Sequence, residues 1–143
     1  MTEAMDGGCV CGAVRYRVRG DPMRVTVCHC TWCQRRTGSA FGVGVVFKAE
    51  DVILAGETLN AYRHISDESG RWLDQQFCTR CGTNVGFILE AAPGIQAISA
   101  GTFDDPSWIR PDKSKFRYVY LRSARNWSTV PDGAECFQTH FRT

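Results

Sequence analysis

Nowhere do the 143 residues supply the roughly 18 consecutive apolar positions that a membrane-spanning helix needs. The longest hydrophobic stretches, Phe41 to Phe47 and Val85 to Leu89, are short and interrupted by glycine. The opening Met-Thr-Glu-Ala-Met-Asp-Gly-Gly is acidic and has no apolar core, so it does not read as a secretory signal, and the expected compartment is the cytoplasm. An excess of one charge sign is also missing, with 17 Lys and Arg against 15 Asp and Glu. That balance gives no electrostatic reason to expect nucleic acid as a partner. Repeats, low-complexity tracts and linker-like segments are absent, and 43% hydrophobic with 22% charged residues is close to the globular norm. The expectation is one domain over residues 1–143, with self-association into a homo-oligomer left open. No Ser-His-Asp order marks a serine nucleophile.

What the chain has in excess is cysteine, 8 residues. In a reducing compartment stable disulfides are rare, so metal binding leads the alternatives. Seven of the eight fall into tight groups: Cys9-x-Cys11, Cys28-x-Cys30-x-x-Cys33 and Cys78-x-x-Cys81. Disulfides, iron in place of zinc, and a metal-free redox dithiol at Cys78 and Cys81 are the competing accounts. The Cys78-x-x-Cys81-Gly82 segment has the form of a zinc knuckle, and Gly8 and Gly12 bracket Cys9 and Cys11 in a similar way. Structural zinc takes four ligands in a tetrahedron, a role that Cys9, Cys11, Cys78 and Cys81 fit. Cys28, Cys30 and Cys33 then lack a fourth ligand, the composition of a catalytic metal site with one open position. Cys136 stands apart and is expected to be a small buried hydrophobe.

Period-2 patterning predicts an all-β fold with one or two short helices. Val14, Tyr16 and Val18 alternate with Arg15, Arg17 and Arg19, the pattern of a strand with one wet face. Val25 and Val27 continue it. Phe41 to Phe47 alternates bulky residues with glycine, predicting close approach by another backbone or a ligand. Further strands are expected at 52–54, 59–64, 71–77, 84–89, 96–100 and 116–122, with turns at 66–70, 92–94, 104–106 and 131–133. One short helix is predicted from Thr31 to Thr37, ended by Gly38. Its first amides would face the cysteine thiolates, and Arg35 and Arg36 would offset their charge.

Three segments together carry a family resemblance: Gly8-Cys-Val-Cys-Gly-Ala-Val-Arg-Tyr16, Cys28-His-Cys-Thr-Trp-Cys-Gln-Arg-Arg-Thr-Gly-Ser-Ala-Phe41, and Phe77-Cys-Thr-Arg-Cys-Gly-Thr83. Ala100 to Pro106 matches a later loop motif. The chain resembles the glutathione-dependent formaldehyde-activating enzymes, also called the centromere protein V family. The resemblance implies an Mss4-like β-tent stapled by zinc, with a four-cysteine structural site (Cys9, Cys11, Cys78, Cys81) and a second, catalytic site at Cys28, Cys30 and Cys33. It also implies a carbon–sulfur lyase activity, the joining of glutathione and formaldehyde as S-(hydroxymethyl)glutathione, with a non-catalytic zinc-stabilised binding module for a protein or chromatin partner as the alternative. One departure stands out: Tyr118 occupies the place of a family histidine, although Pro111 and Trp127 match.

Glutathione carboxylates need cationic partners, and by residue type Arg35, Arg36, Arg63 and Arg80 are candidates. Ser39 is a further candidate substrate contact. His29 lies between two ligand cysteines, but alternation turns it away from them; His64 and His140 are expected to be surface or packing residues. Asp104 and Asp105 are read as a turn rather than an acid–base pair. The four tryptophans are expected to fill the core.

Overall fold

The computed structural model describes residues 4–112 and 115–140. Ten strands and one helix follow in order: β1 (Met5–Gly8), β2 (Arg15–Val18), β3 (Arg24–Cys28), α1 (Thr31–Thr37), β4 (Gly42–Lys48), β5 (Val52–Ala55), β6 (Leu59–Ile65), β7 (Trp72–Cys78), β8 (Asn84–Leu89), β9 (Ile95–Ser99) and β10 (Phe116–Val119). The all-β expectation holds. Among the described residues no helix is long and apolar enough to cross a membrane.

The strands form two sheets. A three-stranded sheet has the order β1-β2-β5, and a seven-stranded sheet has the order β10-β3-β4-β9-β8-β7-β6. Named pairs are antiparallel except β10 with β3, which run parallel with Val119 opposite Cys28. Tyr16 and Val18 of β2 face inward because alternate side chains share a face, and they meet Val25, Val45, Phe47 and Ile98 of the larger sheet in one core. Phe103 adds an edge-on ring to Tyr16, 5.3 Å between centroids. A fully buried Phe47 contributes about 1.5–3 kcal/mol through lost apolar exposure. On the opposite face of β2, Arg15 pairs with Asp104 and Arg17 with Asp6, so this arginine stripe is a solvated, internally neutralised surface. Asp105 caps the turn that follows, accepting from the Ser107 amide at 3.1 Å.

Several expectations need correction. β1, sequence Met-Asp-Gly-Gly, was not expected: it carries almost no side-chain pattern and exists because its backbone pairs with β2. The predicted strand at 116–122 stops at Val119, because Tyr120 turns into the left-handed region at φ 56°. Gly44 is approached by the Phe87 ring, 3.3 Å from where a Cβ would lie, a side chain rather than a backbone. Trp127 is 70% exposed and is no core residue, since the chain after β10 lies on the surface. Cys136 is likewise exposed, its Sγ donating to the Ala134 carbonyl at 3.2 Å.

Candidate metal centre

Two groups of thiols converge, Cys9 with Cys11, Cys78 and Cys81, and Cys28 with Cys30 and Cys33. Within each group all sulfurs lie within 4.8 Å of one another. The partition matches the one expected from the sequence.

The four-cysteine group joins the two sheets. Cys9 and Cys11 leave the end of β1, whereas Cys78 ends β7 and Cys81 lies in the turn to β8. Both turns are built alike: the Gly12 amide donates to the Cys9 carbonyl at 3.1 Å, and the Gly82 amide to the Cys78 carbonyl at 2.8 Å. Gly12 at φ 81° and Gly82 at φ 79° adopt a left-handed conformation that a side chain would strain. Thr83 ties the turns together. Its hydroxyl accepts from the Val10 amide at 3.1 Å and lies 3.2 Å from Cys81 Sγ, while its carbonyl accepts from the Cys78 amide at 3.0 Å. The Thr58 hydroxyl reaches Cys78 Sγ at 3.2 Å. Sulfur separations of 3.6 Å for Cys9 to Cys11 and 3.8 Å for Cys11 to Cys78 approach the ~3.8 Å expected of four thiolates on a zinc ion with ~2.3 Å bonds.

The three-cysteine group is local. Cys28 ends β3, Cys30 is the N-cap of α1, and Cys33 lies buried in its first turn. Cys30 Sγ accepts from the Cys33 amide at 3.2 Å, so a sulfur takes the place of the usual capping oxygen. This has an electrostatic result. Donation from the Cys28 and Cys33 thiols, then from the Cys33 and Trp32 amides, pulls the Cys30 thiol down to about 3. Hydrogen bonding to Cys30 and then to Cys33 in turn raises Cys28 well above the ordinary thiol range, with burial adding to the effect. In the other group the Thr83 hydroxyl and backbone draw Cys81 down to about 5. Crowded thiols that cannot all ionise together are the natural receptacle for a cation. Each group could hold a zinc ion.

Arg36 is the cation built against the second group. Its Nη2 lies 3.8 Å from Cys33 Sγ, and its guanidinium carbon stands 5.0 Å from the Trp32 and Phe87 ring centroids. The Asn84 amide, assigned with its oxygen toward Arg36, accepts from Nη1 at 2.5 Å. Gly42 makes room, since a Cβ there would lie 2.4 Å from Nη2. Arg36 is therefore held by the protein, and Arg35 and Ser39 remain exposed at the far end of α1. Among the other arginine candidates, Arg63 pairs with Asp74 at 2.8 Å and covers the Trp72 ring, and Arg80 is exposed in the knuckle.

His29 is turned away from the thiols. Its Nδ1 lies 3.3 Å from the Val119 carbonyl and its ring packs on Phe41. His64 stacks on Trp32 at 5.1 Å, a packing role as expected. Tyr118 lines a separate cavity beside the turn at 131–135, with none of the cluster cysteines in its wall. Tyr120 was missed. It is the only non-glycine residue with positive φ among the described residues; Arg122, ion-paired with Glu68, covers its ring. Burial first, then the charges of Glu68, Cys28 and Cys30, hold its hydroxyl above the ordinary tyrosine value. No period in the sequence marks such a residue.

A profile of the family described as glutathione-dependent formaldehyde-activating enzyme matches residues 4–119. The chain belongs to this family. A Halomonas elongata protein, provisionally named a glutathione-dependent formaldehyde-activating enzyme, is 28% identical over 129 residues, covering 88% of this chain and 80% of its own length. The crystal structure of a Rhodobacter sphaeroides protein superposes with a TM-score of 0.59 at 20% identity, covering 80% of this chain and all of that one, and supports the fold.

Proposed function

We propose that the chain is a zinc-dependent carbon–sulfur lyase that joins or separates glutathione, or a related thiol, and formaldehyde. The observation that carries this reading is the three-thiol group at Cys28, Cys30 and Cys33, a donor set one short of a tetrahedron on the N-cap of a helix. A zinc ion held there would supply a position able to bind a thiolate or polarise a carbonyl oxygen. The four-thiol group at Cys9, Cys11, Cys78 and Cys81 is closed and structural.

The reaction forms one carbon–sulfur bond as the thiolate sulfur attacks the carbonyl carbon, and the carbonyl oxygen takes up a proton. Arg36 holds positive charge against Cys33 and fixes that sulfur. That proton is the one the glutathione thiol gives up on ionising, so the step balances without a donor from the chain. Arg35, exposed and without an ion pair among the described residues, is better placed for a glutathione carboxylate than Arg36, which is already engaged.

The test is elemental analysis of zinc, then calorimetric titration of glutathione into the protein and into Cys30→Ser. Two zinc ions per chain, with glutathione heat lost in the variant, is the expected result. One zinc ion and no glutathione heat would overturn the reading in favour of a zinc-stabilised binding module.

A further inference from the structure

We propose that Arg122 is a specificity-determining residue that seats a carboxylate of the thiol substrate, and that Glu68 fills this seat until the substrate arrives. The inference rests on the lyase reading, because it takes the group at Cys28, Cys30 and Cys33 as the place where the substrate sulfur is held. It narrows the substrate class to thiols that carry a carboxylate.

The backbone brings Arg122 to the three-thiol group. Val119 lies opposite Cys28 in the parallel pair of β10 with β3, and its carbonyl accepts from the His29 amide at 3.0 Å. The turn that follows, Leu121 to Ser123, is tied to the same segment by Gln34 of α1. The Gln34 side-chain nitrogen donates to the His29 carbonyl at 2.8 Å and to the Ser123 carbonyl at 3.0 Å. Tyr120 enters the turn at φ 56° and ψ 41°, a conformation that a tyrosine keeps only where its surroundings fix it. Its amide donates to the Thr139 carbonyl at 3.1 Å, and charge on Cys28 and Cys30 reaches its hydroxyl. Arg122 lies over the Tyr120 ring, 5.7 Å from guanidinium carbon to centroid. The turn is thus a fixed platform beside the thiols, with a guanidinium on it.

That guanidinium already holds a carboxylate. Arg122 Nη2 engages Glu68 Oε1, which reaches over from the turn between β6 and β7. The two side chains are 46% and 63% exposed, so a carboxylate from solution can compete for the guanidinium. An exposed pair of this kind contributes little to stability, and exchanging one carboxylate for another conserves the charge-assisted hydrogen bonds. Neighbouring arginines are otherwise engaged: Arg36 is held between Trp32 and Phe87 against Cys33, and Arg125 turns back to the Ser123 carbonyl at 3.1 Å. Glutathione has two carboxylates with its thiol between them, so Arg122 and the exposed Arg35 serve one each.

Calorimetry on the zinc-loaded full chain tests this, with glutathione compared against its diethyl ester, in which both carboxylates are masked. Glutathione should bind about tenfold more tightly than the ester. Arg122→Gln should weaken glutathione about five- to tenfold and leave the ester within about twofold. Glu68→Gln removes the internal competitor and should tighten glutathione about two- to threefold, again with the ester unchanged. Circular dichroism establishes that both variants are folded. Wild-type glutathione affinity in Arg122→Gln, an equal loss for both ligands, or unchanged or weaker glutathione binding in Glu68→Gln would overturn the proposal and leave the lyase reading in place. Absence of glutathione heat in the wild type would overturn both.

Discussion

The two thiol groups use the same side chain at similar spacing, but the chain assembles them in opposite ways. Cys11 and Cys78 meet across 67 positions of sequence and join the end of one sheet to the end of the other. Cys28, Cys30 and Cys33 come from one strand end and the helix that follows it, closing no long loop. A cross-link between distant segments removes conformational freedom from the unfolded chain, whereas a local one removes little. The surroundings differ in the same sense. Around the four-thiol group the partners are threonine hydroxyls and backbone amides that lock two turns together. Around the three-thiol group they are a helix N-terminus and a guanidinium held between two rings. One arrangement is suited to holding the fold, the other to holding something on it.

Removing one sulfur from each group gives the sharpest contrast. Cys78→Ser should have the largest effect, lowering Tm by more than ~15 °C or abolishing cooperative unfolding, as read by circular dichroism with temperature. Next comes Cys30→Ser, in which the serine hydroxyl can still cap α1. Its Tm should stay within ~5 °C of wild type while glutathione-dependent turnover, measured above the uncatalysed rate, falls at least ~100-fold. If both serine variants lost stability equally, the division between staple and working site would fail.

Smaller changes probe the second group alone. Arg36→Gln should weaken metal binding there about tenfold in a chelator competition and leave the first metal in place. Arg35→Ala should raise KM for glutathione about three- to tenfold with kcat unchanged, the mark of a contact made equally in ground and transition states. An unchanged KM would return Arg35 to the role of solvated surface charge.

The smallest effect sets a baseline outside both groups. Arg63 holds the Asp74 carboxyl below its ordinary value of 3.8, first through the hydrogen bond and further by its charge. A depressed folded pKa gives stability that is complete above 3.8 and disappears as pH falls through the lower folded value. Asp74→Asn should therefore cost about 1–2 °C in Tm at pH 6, and the gap from wild type should close as the buffer is acidified below that point. A gap that widened on acidification would reverse the assignment.

Much of this contrast is legible in the sequence, and the exceptions have identifiable causes. Short intervals bring Cys9 to Cys11, Cys78 to Cys81, and Cys28 to Cys30 and Cys33 whatever the fold, whereas the joining of the first two pairs across 67 positions is expected only from zinc's need for four ligands. Alternation marks β2 because one of its faces is buried, whereas β4, buried on both faces, is marked by its apolar run. β1 escapes notice because two of its four residues are glycine and it is held by backbone pairing. The parallel partnership of β10 with β3 leaves no local trace, since it joins segments far apart. Arg36 rather than Arg35 could have been chosen from the sequence: on a helix Cys33 and Arg36, three apart, share a face. Trp127 and Cys136 were misplaced because residue type alone says nothing of which segment remains on the surface.

The order of the segments along the chain also bears on how the protein is made. Synthesis proceeds from the N-terminus at about 5–20 residues per second, so the thiols at 28, 30 and 33 leave the ribosome seconds before those at 78 and 81. The local group can capture its metal on a nascent chain that has no sheet yet. The bridging group must wait for β7, and β10, whose Val119 lies beside Cys28, arrives later still. On the proposed function, metal supplied during translation would meet the local group first and the bridging group second.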